Sequence, residues 1–274
     1  MKRILPILAL AGSLVAIAAP AFAQHEAEPP PRLKWSFSGP FGRYDTAQIQ
    51  RGFKIYKEVC SVCHSLDLLS FRNLADPNGP AFSPAQAAAV AAEAKINDID
   101  DQGQPTTRPG RPADHFPSPF PNDAAARAVH GAVPPDMSVL AKARTYERGF
   151  PWFVFDIFTQ YQEQGPDYIA ALMKGYEKAP SDFQVPEGTF YNKYFPAGAI
   201  RMPKPLSDGQ VTYDDGSPQT VEQYSKDVAA FLMWAAEPTL PTRKRIGFQV
   251  IIFLLVLSGL LYFTKKKVWA DAHA

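Results

Sequence analysis

The sequence predicts a mainly α-helical exported domain that is held to a membrane by one C-terminal helix. Three observations lead to this fold class: an N-terminal leader, an uncharged apolar segment near the C-terminus, and two amphipathic helices at opposite ends of the domain between them. The chain has 274 residues and a formal net charge of +1, which excludes the strongly basic character of many nucleic-acid-binding proteins. Its two cysteines are too few for a disulfide-stabilised scaffold.

Residues 1–23 have the pattern of a cleaved secretory signal peptide. Lys2 and Arg3 precede an apolar stretch, and Ala21-Phe22-Ala23 forms a small-x-small cleavage site. Cleavage there leaves an exported domain of residues 24–242. That domain contains 20 Lys and Arg against 26 Asp and Glu, a net charge of −6, and a negative surface favours a positively charged soluble partner.

Residues 243–274 form the predicted membrane anchor and a short tail. The 19 residues of 246–264 carry no charge, and a helix of that length extends about 29 Å, close to the thickness of a hydrocarbon core. Three cationic residues flank the segment on each side, so the distribution of positive charge does not choose an orientation. The signal peptide decides it, with residues 24–242 exported and the tail left in the cytoplasm.

Two amphipathic helices are predicted at the two ends of the exported domain. The first begins after Asp45 and the second, covering 221–236, begins after Thr220; each has a Gln three residues later as a capping-box partner. Gly52 gives the first helix a small surface at which another helix can approach closely. We therefore expect the two helices to cross.

The chemistry of the chain is carried by Cys60-Ser61-Val62-Cys63-His64, a CxxCH segment. This spacing is the c-type haem attachment signature, in which the two thiols add to the haem vinyl groups and the adjacent imidazole binds the iron. A thioredoxin-like redox pair requires a βαβ context that the pattern lacks, and a zinc site requires four ligands although no other cysteine exists. The sequence predicts one covalently bound haem c in a mainly α fold like that of class I cytochromes c.

The sixth iron ligand must come from elsewhere in the chain. Met173 and Met233 lie in helical patterns, where methionine is usually part of the core. Met202 lies in the proline-stiffened loop AIRMPKP and ranks first, followed by Met137 and then His130. A thioether ligand raises the reduction potential and closes the iron to substrates. The remaining histidines are ranked lower: His25, His115 and His273.

With these residues identified, the chain resembles the cytochrome c1 family, the membrane-anchored cytochromes of the quinol:cytochrome c oxidoreductase (cytochrome bc1) complex, in its bacterial form. CxxCH is shared by all c-type cytochromes, whereas the PPD, AIxMP and WAAEP segments in this order are more specific. The resemblance is carried by RGFKIYKEVCSVCHS (51–65), GAVPPDMSVLAKAR (131–144), AIRMPKPL (199–206) and DVAAFLMWAAEP (227–238).

The resemblance implies roles for six residues toward the haem, and none of them is catalytic in itself. Covalent attachment falls to Cys60 and Cys63, axial ligation to His64 and Met202, a propionate contact to Arg144, and part of the pocket wall to Pro135. Residues 145–165 depart from the mitochondrial pattern and resemble an insertion of bacterial members, whose role the sequence leaves open.

The resemblance also implies a function, which is electron relay as a subunit of the oxidoreductase. Electrons would arrive from the Rieske iron–sulfur protein and leave to a soluble c-type cytochrome, with cytochrome b and membrane lipid as further partners and no nucleic acid. The haem domain would lie in the periplasm, on a bacterial inner or intracytoplasmic membrane. One alternative is a free membrane-tethered cytochrome, and another is a haem enzyme or gas sensor with an open iron site.

One acidic stretch offers a docking hypothesis. Glu93, Asp98, Asp100 and Asp101 lie close together in the sequence. We expect them to contribute to a negative field that steers a basic cytochrome c toward the haem.

Overall fold

The computed structural model describes most of the chain after the leader. The described residues are 27–146, 149–159, 161 and 163–270, without the side chains of 157–159. The predicted signal peptide, His25 and His273 lie outside them. Within these residues the chain folds into eight α-helices and two small antiparallel hairpins, which confirms the mainly α fold class.

The elements follow one another with long connections between them. The helices are α1 (Thr46–Glu58), α2 (Pro84–Glu93), α3 (Asp123–His130), α4 (Leu140–Ala143), α5 (Trp152–Thr159), α6 (Gln164–Lys174), α7 (Val221–Ala236) and α8 (Leu240–Val268). Strand β1 (Lys95–Ile99) pairs with β2 (Pro105–Pro109) with Asn97 opposite Thr107, and β3 (Phe190–Tyr191) pairs with β4 (Ala199–Ile200).

Helices α1 and α7 begin where the sequence predicts. The side chain of Asp45 accepts a hydrogen bond from the Gln48 amide at 2.9 Å, and that of Thr220 accepts one from the Gln223 amide at 3.3 Å. The Gln223 side chain donates to Asp227 at 2.8 Å, so it serves a buried carboxylate in place of the predicted capping box.

The two helices cross with their backbones nearly in contact at Gly52. A Cβ atom at this position would lie 2.1 Å from the carbonyl oxygen of Asp227 and 2.6 Å from Cβ of Phe231. Around the crossing, Phe53 and Tyr56 place their rings 5.7 Å from that of Phe231. Helices α4 and α6 also pack on α7, which makes α7 the centre of the core.

A buried charged network closes the crossing. Asp227 is fully buried and accepts hydrogen bonds from Nε of Arg51 at 2.9 Å and from the hydroxyl of Tyr213 at 2.9 Å. Arg51 also contacts Asp215 at 2.7 Å. Because each buried charge has partners, the network holds α1, α7 and the preceding loop in one arrangement.

Helix α8 has the length and composition of a membrane span and contains the predicted segment 246–264. Its most apolar 18-residue stretch has a mean hydropathy of 2.4, and none of that stretch is buried against the rest of the described chain. The exposed apolar surface therefore fits a lipid environment.

Only residues 237–239 separate α7 from α8, and we call these three residues the junction. Glu237 pairs with Lys142 at 2.6 Å and with Arg243 at 2.6 Å. Its carbonyl oxygen accepts a hydrogen bond from the hydroxyl of Tyr44 at 2.9 Å. Since Leu240 is also buried, the start of α8 is fixed to the folded domain.

Candidate functional site

The CxxCH segment continues directly from α1. A 3₁₀ turn covers Cys60–Val62, and the amides of Cys63 and His64 both donate to the carbonyl oxygen of Cys60, at 3.1 and 2.9 Å. This turn brings both thiols and the imidazole to the end of one buried helix. Because α1 is packed against α7, the position of the turn is set by the core.

The imidazole of His64 is oriented by a backbone carbonyl. Its Nδ1 lies 2.8 Å from the carbonyl oxygen of Pro135, so the N–H at Nδ1 donates to that oxygen and Nε2 is left with its lone pair. Burial lowers the pKa of His64 and outweighs the opposing effect of the Pro135 hydrogen bond. The result is a neutral imidazole with one nitrogen suited to metal binding.

The carbonyl of Pro135 is in turn fixed by its neighbour Asp136, whose contacts we call the Asp136 clamp. One carboxylate oxygen accepts from the hydroxyl of Ser65 at 2.8 Å and from the amide of Asp67 at 2.8 Å, and the other accepts from the amide of Ser138 at 2.8 Å. Burial alone would raise the pKa of Asp136, but these hydrogen bonds hold the pKa below its usual range. The clamp therefore ties residues 135–138 to the residues that follow His64.

We expect Asp136→Ala to destabilise the folded chain by about 3 kcal/mol, because hydrogen bonds to a charged group are lost and their donors are left unpaired. Thermal unfolding of the full chain in detergent, followed by circular dichroism, measures this loss. Asp214→Ala is the matched control, because that side chain is 90% exposed. Equal unfolding midpoints for the two variants would show that the clamp does not stabilise the site.

The two thiols are placed for covalent attachment better than for zinc binding. Both cysteines are free and half-buried, and Cys60 packs against the core. Burial raises the pKa of the Cys60 thiol to about 12, with the nearby charge of Cys63 adding to the effect. A zinc ligand must be a deprotonated thiolate, which a raised pKa disfavours. Covalent attachment to haem instead turns each cysteine sulfur into a thioether, which carries no charge. Across the described ranges no group of three or more His, Cys, Asp or Glu side chains is placed to hold a metal ion.

A cavity of about 300 Å³ lies against Cys63. It is lined mainly by residues 118–123 and 133–136, including the ring of Phe120 and the two prolines before Asp136. Two thiols and an oriented imidazole at the end of one helix are the donor set that a haem c requires, so the residues fit this group, and the lining of the adjoining cavity is mixed polar and apolar. Met202 is not part of the cavity lining.

The loop that carries Met202 is held at two points. The hydroxyl of Tyr176 donates to the carbonyl oxygen of Met202 at 3.0 Å, and the half-buried Met202 side chain packs against the core. The guanidinium of Arg201 packs against Gly131: a Cβ atom at position 131 would lie 2.8 Å from Nη1 of Arg201. Gly131 ends α3 with φ of +70°, so a side chain there would be strained as well as crowded. This contact joins the Met202 loop to the segment that leads to Pro135.

The other candidate ligands lie in different surroundings. Met137 is buried, and its amide donates to the carbonyl oxygen of Ser65. Met173 and Met233 are buried in α6 and α7. His130 packs its ring edge-on to Phe120 at 5.3 Å, and His115 is exposed beside Ser70. Met202 stays the predicted sixth ligand.

Arg144 lies near Tyr168 of α6. It ends α4 as an exposed residue, and its charge partly offsets the burial that raises the pKa of Tyr168 in α6. The structure thus brings together Cys60, Cys63, His64 and Pro135, while a propionate contact for Arg144 stays a prediction.

Sequence reasoning missed two residues that position the site, Asp136 and Tyr176. The pattern Asp136-x-Ser138 is a local turn signal, because an aspartate commonly accepts from the amide two residues later. Its longer contacts to Ser65 and Asp67 have no such signal. Tyr176 reaches Met202 across 26 residues of chain, which no sequence pattern indicates.

Comparison with known proteins identifies the family. The model of the cytochrome C1 family matches residues 35–272. Cytochrome c1 of Blastochloris viridis is 54% identical over 271 residues, which cover 97% of this chain and 95% of that protein. Cytochrome c1 of Rhodospirillum rubrum is 42% identical over 267 residues, covering 96% of each. The cytochrome b/c1 protein of Bradyrhizobium diazoefficiens is 62% identical over 256 residues, 92% of this chain but 37% of that longer protein. The chain therefore belongs to the cytochrome c1 family, whose members are c-type haem proteins, and its CxxCH segment fits their haem-binding motif.

Proposed function

We propose that the chain is the electron-relay subunit of a cytochrome bc1 complex, which takes electrons from a Rieske iron–sulfur protein and passes them to a soluble c-type cytochrome. The observation that carries this proposal is the hydrogen bond from His64 Nδ1 to Pro135, beside two thiols at the end of α1. When bound, the haem supplies a reversible one-electron iron couple.

The residues of the chain hold and orient that group. Cys60 and Cys63 would attach it covalently, and Pro135 orients the ring of His64 so that Nε2 would be free to bind the iron. Met202 would supply a thioether ligand from a loop fastened by Tyr176. Arg144 is the proposed propionate partner. No residue makes or breaks a bond in a substrate, so the chain acts in catalysis only as part of the complex.

The junction favours a fixed subunit over a free tethered carrier. A carrier on a tether needs a flexible linker between its haem domain and its anchor, but only three residues separate α7 from α8. Those residues are held by Lys142, Arg243 and Tyr44. A third possibility, an enzyme or sensor with an open iron site, is disfavoured by the methionine loop.

The proposed partners and topology have separate support. The Bradyrhizobium relative is named cytochrome b/c1, and this chain aligns with a little over a third of it, which supports cytochrome b as a neighbour. The leader pattern of residues 1–23 supports a periplasmic haem domain and a cytoplasmic C-terminus on a bacterial inner or intracytoplasmic membrane. Sequencing the mature chain should give Gln24 as its first residue.

Purification in mild detergent tests the function directly. A tag on the cytoplasmic tail of the full chain should recover cytochrome b and the iron–sulfur protein, and quinol should reduce the haem of this chain in membranes. Depletion of the iron–sulfur protein should abolish that reduction. Recovery of the chain alone, with quinol-independent reduction of its haem, would instead support the tethered carrier.

The acidic docking hypothesis changes once ion pairs are considered. Glu93 contacts Lys57 at 2.6 Å, and Asp98 contacts Arg108 at 2.5 Å, so these two charges are balanced by their own neighbours. The remaining two, Asp100 and Asp101, lie at the turn between β1 and β2. The proposed steering field at this hairpin therefore rests on them.

Neutralising both turn residues, Asp100→Asn with Asp101→Asn, should slow association with a basic cytochrome c about two- to fivefold at low salt. The effect should shrink as ionic strength rises, because exposed charges are screened over about 8 Å at physiological salt. Stopped-flow electron transfer across a salt series measures both quantities. Asp182→Asn with Glu187→Gln changes the net charge equally at two exposed residues and is the control. If both double variants show the same salt slope, the hairpin is not a docking site.

A further inference from the structure

Helix α5 presents an unusual aromatic surface. Phe150 is 82% exposed, and the helix that follows exposes Trp152, Phe153 and Phe155 by 52, 57 and 53%. The one charged residue of the helix, Asp156, is buried. Large apolar side chains exposed side by side mark a surface that is covered by another apolar phase.

The inner side of α5 leads to the N-terminal segment of the domain. The carboxylate of Asp156 accepts from Gln164 at 3.4 Å, and its carbonyl oxygen accepts from the amide of Tyr161 at 3.1 Å. Arg32 lies 4.0 Å above the ring of Tyr161, whose hydroxyl donates to the buried Asp167. Asp167 also accepts from the indole of Trp35 at 2.8 Å. The helix is therefore attached to residues 32–35.

That N-terminal segment contacts the start of the membrane helix. Trp35 stacks on Phe37 at 5.3 Å, and Nζ of Lys244 donates to the carbonyl oxygens of Phe37 and Gly39, both at 2.6 Å. Phe41 meets Phe248 edge-on at 5.1 Å. Since the uncharged part of α8 begins at residue 246, these contacts lie at the level where the chain enters the bilayer.

An electrostatic interaction brings the α5–α6 connection close to the same level. The carboxylate of Glu163 interacts electrostatically with the ammonium group of Lys244. Lys244 lies two residues before the uncharged segment, a distance of about 3 Å along a helix. The residues that follow α5 thus approach the entry point of α8.

We propose that α5 and Phe150 are a membrane-contacting surface whose aromatic rings lie in the phospholipid headgroup region. Tryptophan and phenylalanine side chains are favoured at this depth, and a helix that is apolar on its outer face lies in the plane of the interface. The continuity with the entry point of α8 favours lipid over a second protein. The exposed cation Arg245, at the start of α8, suits anionic headgroups. The insertion of residues 145–165 would then act as a second contact with the bilayer and fix the rotation of the haem domain about α8.

Nitroxide accessibility tests the proposal in the full haem-loaded chain. Because both natural cysteines are consumed by haem attachment, Phe153→Cys introduces one reactive thiol for a spin label. Each nanodisc holds one copy in a mixture of phosphatidylcholine and phosphatidylglycerol. Ile99→Cys in β1 is the matched control, since Ile99 is an exposed apolar residue at 69%. An unchanged haem spectrum shows that each variant is folded.

For each label the measured quantity is the ratio of relaxation by oxygen to relaxation by a water-soluble nickel chelate. This ratio should be at least threefold higher for the label at 153 than for the label at 99. Equal ratios at the two positions would place α5 in water and overturn the proposal. The same measurement in native membranes gives the second outcome. If the label at 153 is shielded there from both oxygen and nickel, a protein subunit covers α5 and the lipid contact is wrong.

Discussion

A chain that carries Met202→Leu keeps its covalent haem but loses the low-spin state, and its midpoint potential falls by on the order of 100 mV or more. Leucine nearly conserves the volume of methionine, so packing around the half-buried side chain changes little. The variant therefore removes the sulfur and leaves the loop, which is still held by Tyr176 through the backbone of residue 202. Redox titration and the near-infrared charge-transfer band measure the result.

Met137→Leu is the matched control for that experiment. Met137 is buried and ranks second as a ligand from sequence, and its amide donates to the carbonyl oxygen of Ser65. We expect this variant to retain both the potential and the band. The opposite pattern, with a normal Met202 variant and a low-potential Met137 variant, would exchange the two assignments.

The second large effect is expected at the helix crossing, where Gly52→Ala should destabilise the domain by about 3 kcal/mol. The added Cβ would lie 2.1 Å from the carbonyl oxygen of Asp227, and backbone on a packed helix cannot move aside as a flexible side chain does. Helices α1 and α7 would have to separate, and the network around Asp227 would open with them. Chemical unfolding of the full chain in detergent, followed by circular dichroism, measures the loss.

The same substitution at Gly247 separates crowding from helix propensity. Apart from the neighbouring residues and backbone of its own helix, no atom of the described residues lies within 4 Å of a Cβ at that position in α8. In an exposed helix, alanine is favoured over glycine by about 1 kcal/mol, so Gly247→Ala should leave stability unchanged or slightly higher. If Gly52→Ala unfolds at the same denaturant concentration as Gly247→Ala, the close crossing is not a source of stability.

The parts of the fold that sequence reasoning predicts well are those set by local chemistry. Asp45 and Thr220 cap their helices where the pattern places them, because a side-chain oxygen and an amide three residues later need no tertiary context. The membrane segment is also recognised from composition. Its helix nevertheless extends from Leu240 to Val268, since hydropathy marks the bilayer crossing and not the hydrogen-bonded ends.

The parts that escape prediction depend on residues that are distant in the sequence. Gln223 leaves its expected capping box because the folded core offers the carboxylate of Asp227 as a better acceptor. The Asp136 clamp joins segments about seventy residues apart, and its longer contacts are visible only after the chain is folded. The sequence left residues 145–165 without an assigned structure, and they contain α5 and the first two residues of α6.

Because the junction between α7 and α8 is short, the tilt of the membrane helix sets the orientation of the folded domain. A helix of 29 residues is about 44 Å long, and its tilt responds to bilayers that differ in thickness by a few Å. Because only three residues separate the two helices, a change of tilt turns the whole folded domain. The height of the CxxCH segment above the membrane is then set partly by the lipid, so the same chain presents this segment at different heights in thin and thick bilayers.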